Sequence, residues 1–164
     1  MAKIAVVEDN AAVRQELCGF IAQYAQESGQ LLEVTPFADG SQIVEPYRPG
    51  FDIIFLDIEM PTLGGMPTAE RIRLLDPDVV LIFVTNMAQY AIRGYEVDAL
   101  DFVLKPVSYY QFSTKLERAL QRIQRRRQSA YEDYQDALIS KEDYLRYRTD
   151  YDAQEQALQA QLDK

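Results

Sequence analysis

The stretch that decides the fold is FDIIFLDIEMP, residues 51–61. Ile53, Ile54, Phe55 and Leu56 form an unbroken apolar run, the pattern of a short strand buried on both faces. Such strands belong to parallel sheets sandwiched between helices. The run ends in Asp57, with Glu59 and Pro61 close behind, so a carboxylate is delivered to the strand's carboxyl tip.

Working outward, four more apolar runs recur, at residues 4–7, 31–37, 79–84 and 102–104. Helical patterns separate them. Ala12, Leu17, Phe20, Ile21 and Tyr24 trace a stripe after the first run. Ile43, Val44 and Tyr47 predict a short helix after the second, closed by Arg48-Pro49-Gly50. Ala69, Ile72 and Leu75 follow the third and stop at Asp76-Pro77. Residues 88–95 follow the fourth run, and Phe112, Leu116, Leu120 and Ile123 the fifth. Strand–helix alternation implies right-handed crossovers. The expected fold is α/β, a doubly wound (βα)5 parallel sheet over about residues 1–126.

The composition agrees. The chain has 164 residues, 48% hydrophobic and 26% charged, which suits one globular domain with a small appendage. No apolar run approaches the roughly 20 residues that span a bilayer, and no secretory signal opens the chain. The single cysteine, Cys18, cannot form an internal disulfide, so a cytoplasmic protein is expected. The absence of histidine excludes a His-based triad, a His metal site and an internal phosphohistidine. A net charge of −9 argues against non-specific nucleic-acid binding by the whole chain.

Beyond Arg125-Arg126-Arg127 the composition shifts. Residues 129–164 contain no proline or glycine and hold Tyr131, Tyr134, Tyr144, Tyr147 and Tyr151. Four basic against nine acidic residues give this segment −5, leaving −4 for residues 1–128. Residues 140–143, Ser-Lys-Glu-Asp, read as a capping box. The tail, 127–164, is therefore expected to be helical with a turn near Leu138 to Ser140, either folded back as a hairpin or extended. Tyr144, Tyr147, Tyr151 and Leu158 read as a packing stripe, and the arginines as a solvated helix face.

In a doubly wound sheet ligands bind beyond the carboxyl ends of the strands. Those ends carry Glu8-Asp9, Asp57, Thr85 and Lys105-Pro106. Two carboxylates about 4 Å apart repel by on the order of 4 kcal/mol at an effective dielectric of about 20. Lys105 and a hard divalent cation would offset that, and oxygen-rich sites suit Mg2+. An aspartate so placed is a competent nucleophile towards phosphorus. Taken singly, Glu8-Asp9 also reads as a helix N-terminus, Asp57 as a turn residue and Phe102 as core; the conjunction at four strand ends favours function.

The motifs VVEDN (6–10), IIFLDIEMP (53–61), IFVTN (82–86) and DFVLKP (101–106) resemble the receiver domains of bacterial two-component response regulators, over about residues 1–126. AIRGYEVDALDFVLKPV (91–107) is most similar to the LytTR-type subgroup. The resemblance implies a phosphorylation-dependent, self-phosphorylating and self-dephosphorylating switch rather than an enzyme with its own substrate. Asp57 would be the phospho-acceptor. Asp9 would ligate Mg2+ (or Mn2+) directly, Glu8 through water and Glu59 through its backbone carbonyl. Lys105 would hold the phosphoryl group, its bond to Pro106 being cis, and Thr85 and Phe102 would be the switch pair. The implied partners are a sensor histidine kinase and a second copy, docked through the fourth-to-fifth helix face or the tail. No direct DNA binding and no membrane are expected. Gly64 stands where the family usually has Asp before Gly65, which bears on loop rigidity more than on chemistry. Asn86 follows the switch threonine where a smaller residue is common, and acidic Glu59 is placed to tune phosphate lifetime.

LytTR-type regulators usually continue into a DNA-binding domain. Residues 131–164 are instead similar to a helical stretch found after the catalytic region of large serine recombinases, which implies a fusion or a truncated reading frame. Two other functions are consistent with the residues: a constitutive interaction module with its output set by the tail, and an aspartate-nucleophile phosphatase. The phosphatase ranks last because Glu8-Asp9 precedes the nucleophile and no cap domain is present.

Overall fold

The computed structural model of the chain describes residues 1–152, and within them the side chains of residues 1–89 and 93–138. The elements in order are β1 Ala2–Val7, α1 Ala11–Ser28, β2 Leu32–Phe37, α2 Gly40–Val44, β3 Ile53–Leu56, α3 Gly65–Leu75, β4 Val80–Thr85, a 3-10 helix Ala88–Val97, β5 Asp101–Leu104 and α4 Tyr109–Asp152. All strand pairings are parallel, in the order β2-β1-β3-β4-β5. This is the flavodoxin-like arrangement, with the change of winding direction between β1 and β3.

Strand alternation divides the core. Ala5, Val7, Ile54, Leu56, Leu81 and Phe83 belong to a buried cluster with Ile43 of α2 and Met66, Ala69 and Ile72 of α3. On the opposite face the Phe55 ring stacks 4.5 Å from Phe112 of α4, which in turn lies 5.7 Å from Phe20 of α1. With both faces covered, β3 and β4 are buried at every position, as an apolar run without polar alternation requires. Pro36 is tolerated because β2 is an edge strand.

Local chemistry sets the helix ends. Asn10 caps α1 by accepting from the Val13 N–H at 3.1 Å. Gly29 closes it in the left-handed region (φ 74°), donating to the Ala25 carbonyl. Gly65 opens α3 hard against β3: a Cβ there would lie 2.1 Å from the Asp57 carbonyl oxygen. The fourth helical segment winds as a 3-10 helix, a form seldom sustained over ten residues. Its end is clamped by Arg73 of α3, which donates to the carbonyls of Val97 (2.8 Å) and Asp98 (3.1 Å) and also to Asp76, Pro77 and Val79.

The turn expected near Leu138 to Ser140 is not formed. α4 runs unbroken to Asp152, because no proline or glycine interrupts it and Ser140 is simply an interior helical residue. By contact density the chain divides into two units, Met1–Leu120 and Gln121–Lys164. The Tyr144, Tyr147, Tyr151 and Leu158 stripe lies outside the described side chains. Most of the recombinase-like stretch lies there too. Among the described residues no helix is long and apolar enough to cross a membrane.

Candidate functional site

The site is assembled by sheet register. Val7 of β1 pairs with Leu56 of β3, so Glu8 and Asp57 leave the sheet side by side; the Asp57 N–H donates to the Val7 carbonyl at 2.9 Å. Thr85 of β4 pairs with Leu104 of β5, and the Lys105 N–H donates to the Thr85 carbonyl at 2.8 Å. Residues separated by up to 97 positions thus share one sheet edge. The Lys105–Pro106 bond is cis.

Lys105 Nζ lies 2.7 Å from Glu8 Oε1 and 3.4 Å from Asp57 Oδ2. The Ile58 N–H donates to Asp57 Oδ1 at 2.8 Å, and the Asn10 N–H to Glu8 Oε2 at 3.1 Å. Glu8 and Asp57 are both buried. Burial pushes the Asp57 carboxyl up to about 7; the Glu8 charge pushes the same way and Lys105 opposes both. Burial also works against the Lys105 ammonium. The Glu8 hydrogen bond and the charges of Asp57 and Glu8 outweigh it and hold Lys105 above its ordinary value.

One ammonium therefore serves two buried carboxylates. Glu8 Oε1 has the Lys105 ammonium, shared with Asp57, as its partner at 2.7 Å, which leaves this buried acceptor a spare lone pair. Oxygens of Glu8, Asp9 and Asp57 lie within 4.8 Å of one another. An all-oxygen, doubly or triply negative cluster with an under-satisfied acceptor fits a hard divalent cation of the Mg2+ type. Asp9 is exposed, open to solvent on the outer side of the cluster.

The remaining expected residues fall into place unevenly. Thr85 is buried at the neighbouring strand end, its Oγ1 accepting from the Met87 N–H at 3.1 Å. The Glu59 side chain is exposed and outside the carboxylate cluster. Phe102 is half-buried beside Phe83, its register partner on β4, and the two help line a cavity of about 250 Å³ with Gly94, Tyr95 and Ala99.

Three side chains that hold the surrounding framework were not singled out from the sequence. Arg14 donates to the Glu8 carbonyl at 2.7 Å, tying the first turn of α1 to the acidic loop. Asp101 pairs with Lys115 (2.8 Å) and Arg118 (3.0 Å) of α4. Asp39, also buried, accepts from Ser41 N–H and Oγ and from the N–H groups of Thr62 and Leu63. Asp39 thereby holds the loop that precedes α3, where Gly64 offers no side-chain cap. Asp39-Gly-Ser at a helix start was a legible N-cap signal; its reach to residues 62 and 63 had no signal in the sequence.

The model of the response regulator receiver domain matches residues 4–117. The sensory transduction protein LytT of Oceanobacillus iheyensis is 31% identical over 120 residues, covering 70% of this chain and 46% of LytT. The transcriptional regulatory protein BtsR of Escherichia coli K12 is 32% identical over 130 residues, 77% of this chain and 50% of BtsR. The chain thus spans about half the length of these relatives. Among solved structures, the non-phosphorylated HemR receiver domain from Leptospira biflexa is similar with a TM-score of 0.64 at 30% identity, covering 73% of this chain and 94% of that one. The beryllofluoride-activated DrrB receiver domain has a TM-score of 0.62 at 25% identity, covering 74% and 98%.

Proposed function

This chain belongs to the response regulator receiver domain family of two-component systems, and on that premise we propose that it is a switch thrown by a phosphoryl group carried on Asp57. Family membership implies phosphorylation-dependent signalling. The observation that carries the assignment to Asp57 is its crowding with Glu8 under a single shared ammonium. The receiver portion is taken as residues 1–126 and the tail as 127–164.

In this reading an Asp57 carboxylate oxygen attacks phosphorus. The new O–P bond forms as the bond from phosphorus to the donor, a kinase phosphohistidine nitrogen or the oxygen of a small phosphodonor, breaks, and the leaving group departs with the bonding pair. Lys105 releases its hold on Asp57 and pairs with a phosphoryl oxygen. The Thr85 hydroxyl exchanges its Met87 contact for another phosphoryl oxygen, and Phe102 moves into the space so vacated. Glu8, Asp9 and Asp57, with the Glu59 carbonyl, would hold Mg2+ or Mn2+, which when bound supplies charge neutralisation for the transferred group. Glu59 sets phosphate lifetime from its exposed position near the path of hydrolytic water. The names of LytT and BtsR support an output in sensory transduction and transcription. The proposed partners are a sensor histidine kinase and a second copy, through the face running from the 3-10 helix to α4 or through the tail.

The test is exposure of the chain to Mg2+ with beryllofluoride, then to a small phosphodonor. Native protein is expected to bind the first and gain one phosphoryl group from the second, read by intact mass. Binding retained by Asp57→Ala would refute the assignment. Failure of the native chain to bind would favour a constitutive interaction module.

A further inference from the structure

Within α4, the charges on residues 121–138 are sorted by sign. Arg122, Arg125, Arg126 and Arg127 come first, Glu132, Asp133 and Asp136 follow, and residues 128–130 between them are uncharged. No acidic residue stands three or four positions from Arg122 or Arg125, and no basic one from Glu132, Asp133 or Asp136. Opposite charges three or four positions apart are thus missing around Arg122, Arg125, Glu132, Asp133 and Asp136. Their near neighbours are like charges instead, Arg122 with Arg125 and Arg126, and Glu132 and Asp133 with Asp136, which destabilises an isolated helix.

At 3.6 residues per turn, Arg122, Arg125, Ser129, Asp133 and Asp136 share one face. Their spacing is symmetric about Ser129 and their charge antisymmetric: positive seven and four positions before it, negative four and seven after. Arg125, Ser129, Asp133 and Asp136 are exposed and Arg122 is half-buried. Laid antiparallel on itself and crossing at Ser129, this face sets Arg122 against Asp136 and Arg125 against Asp133, each twice. A parallel pair would instead set like charge against like.

We infer that residues 122–136 form a self-complementary docking face through which two copies of this chain pair as antiparallel helices. The contact is isologous, the same patch on both partners, as a two-fold dimer requires. It converts the like-charge cost within each helix into cross-helix attraction. Being exposed and polar, it is screened by salt and specific to the antiparallel register. The inference rests on the second-copy reading above and not on the chemistry at Asp57.

The experiment is sedimentation equilibrium of the full chain, with circular dichroism to confirm that each variant stays folded. A dimer is expected at about 50 mM salt, weakening tenfold or more at about 500 mM. The pair Arg122→Glu and Arg125→Glu, and separately the pair Asp133→Lys and Asp136→Lys, should each weaken self-association at least tenfold. An equimolar mixture of the two should form a heterodimer, since every reversed charge then faces its opposite. A dimer indifferent to both reversals would overturn this face while leaving the second-copy reading intact at another surface. A monomer under all conditions would overturn both.

Discussion

Asp39 and Asp57 are both buried aspartates at the carboxyl edge of one sheet, and the protein treats them in opposite ways. Burial pushes both carboxyls upward. At Asp39 four donors more than compensate, from Ser41 N–H and Oγ, Thr62 N–H and Leu63 N–H, and hold the group below the usual carboxylate range. At Asp57 the chain supplies one N–H and a lysine shared with Glu8, and the group is pushed up to about 7. A carboxylate satisfied by its own chain is structural. One left short of donors beside a second carboxylate is the position proposed above to take a charged group from outside.

That contrast can be broken in several ways. The largest expected effect is on chemistry: Asp57→Asn should abolish phosphoryl acceptance, to below about 1% of native by intact mass, because the amide is not a nucleophile towards phosphorus. Asp39→Asn should leave acceptance measurable, since it touches no reacting atom. The next effect is on stability. Asp39→Ala should cost about 2–4 kcal/mol in urea unfolding, as it strands buried donors in two loops at once. A cost under about 1 kcal/mol would make Asp39 an ordinary cap.

The third effect is a difference of sign with pH. The native state binds a proton on Asp57 between about pH 4 and 7 that the unfolded chain does not, so Asp57 withdraws stability as pH rises through that window. Asp57→Asn should therefore raise Tm at pH 8, equivalent to about 1–2 kcal/mol after solvent screening, and the gain should shrink towards pH 4. Asp39 runs the other way: its contribution is present above the ordinary aspartate range and lost on acidification. Asp39→Asn should cost most at neutral pH. Equal pH dependence in the two variants would erase the distinction. The smallest effect is a control far from both. An added Cβ at exposed Gly19 in α1 meets nothing within 4 Å, so Gly19→Ala should stabilise by about 0.5–1 kcal/mol without moving either pH profile.

Legibility followed the range of the physics. Apolar runs announced all five strands to within about two residues, most cleanly β3 and β4, where burial on both faces leaves almost no polar position. Asn10 and Gly29 end α1 by contacts within one turn, of a kind a sequence can show, though neither was read as a cap. The capping-box pattern at residues 140–143 misled, because a local signature competes with uninterrupted helix-forming sequence on both sides and lost. Arg73 gave no signal. Its guanidinium reads as one more surface charge until the ends of α3, β4 and the 3-10 helix converge on it.

The order of residue types along the chain was enough to establish the strand–helix alternation, the doubly wound class and the identity of the residues at the strand tips, since these depend on periodicity and on neighbours within a turn or a strand. Only the tertiary structure decided which tips meet. Glu8, Asp57 and Lys105 come together because parallel register fixes Val7 beside Leu56 and Thr85 beside Leu104, and Asp39 became a staple because α2 brings it under the loop at residues 62–63. Charge separation, donor count and desolvation are properties of that meeting, so the opposite fates of two buried aspartates appear only once the chain has closed around them.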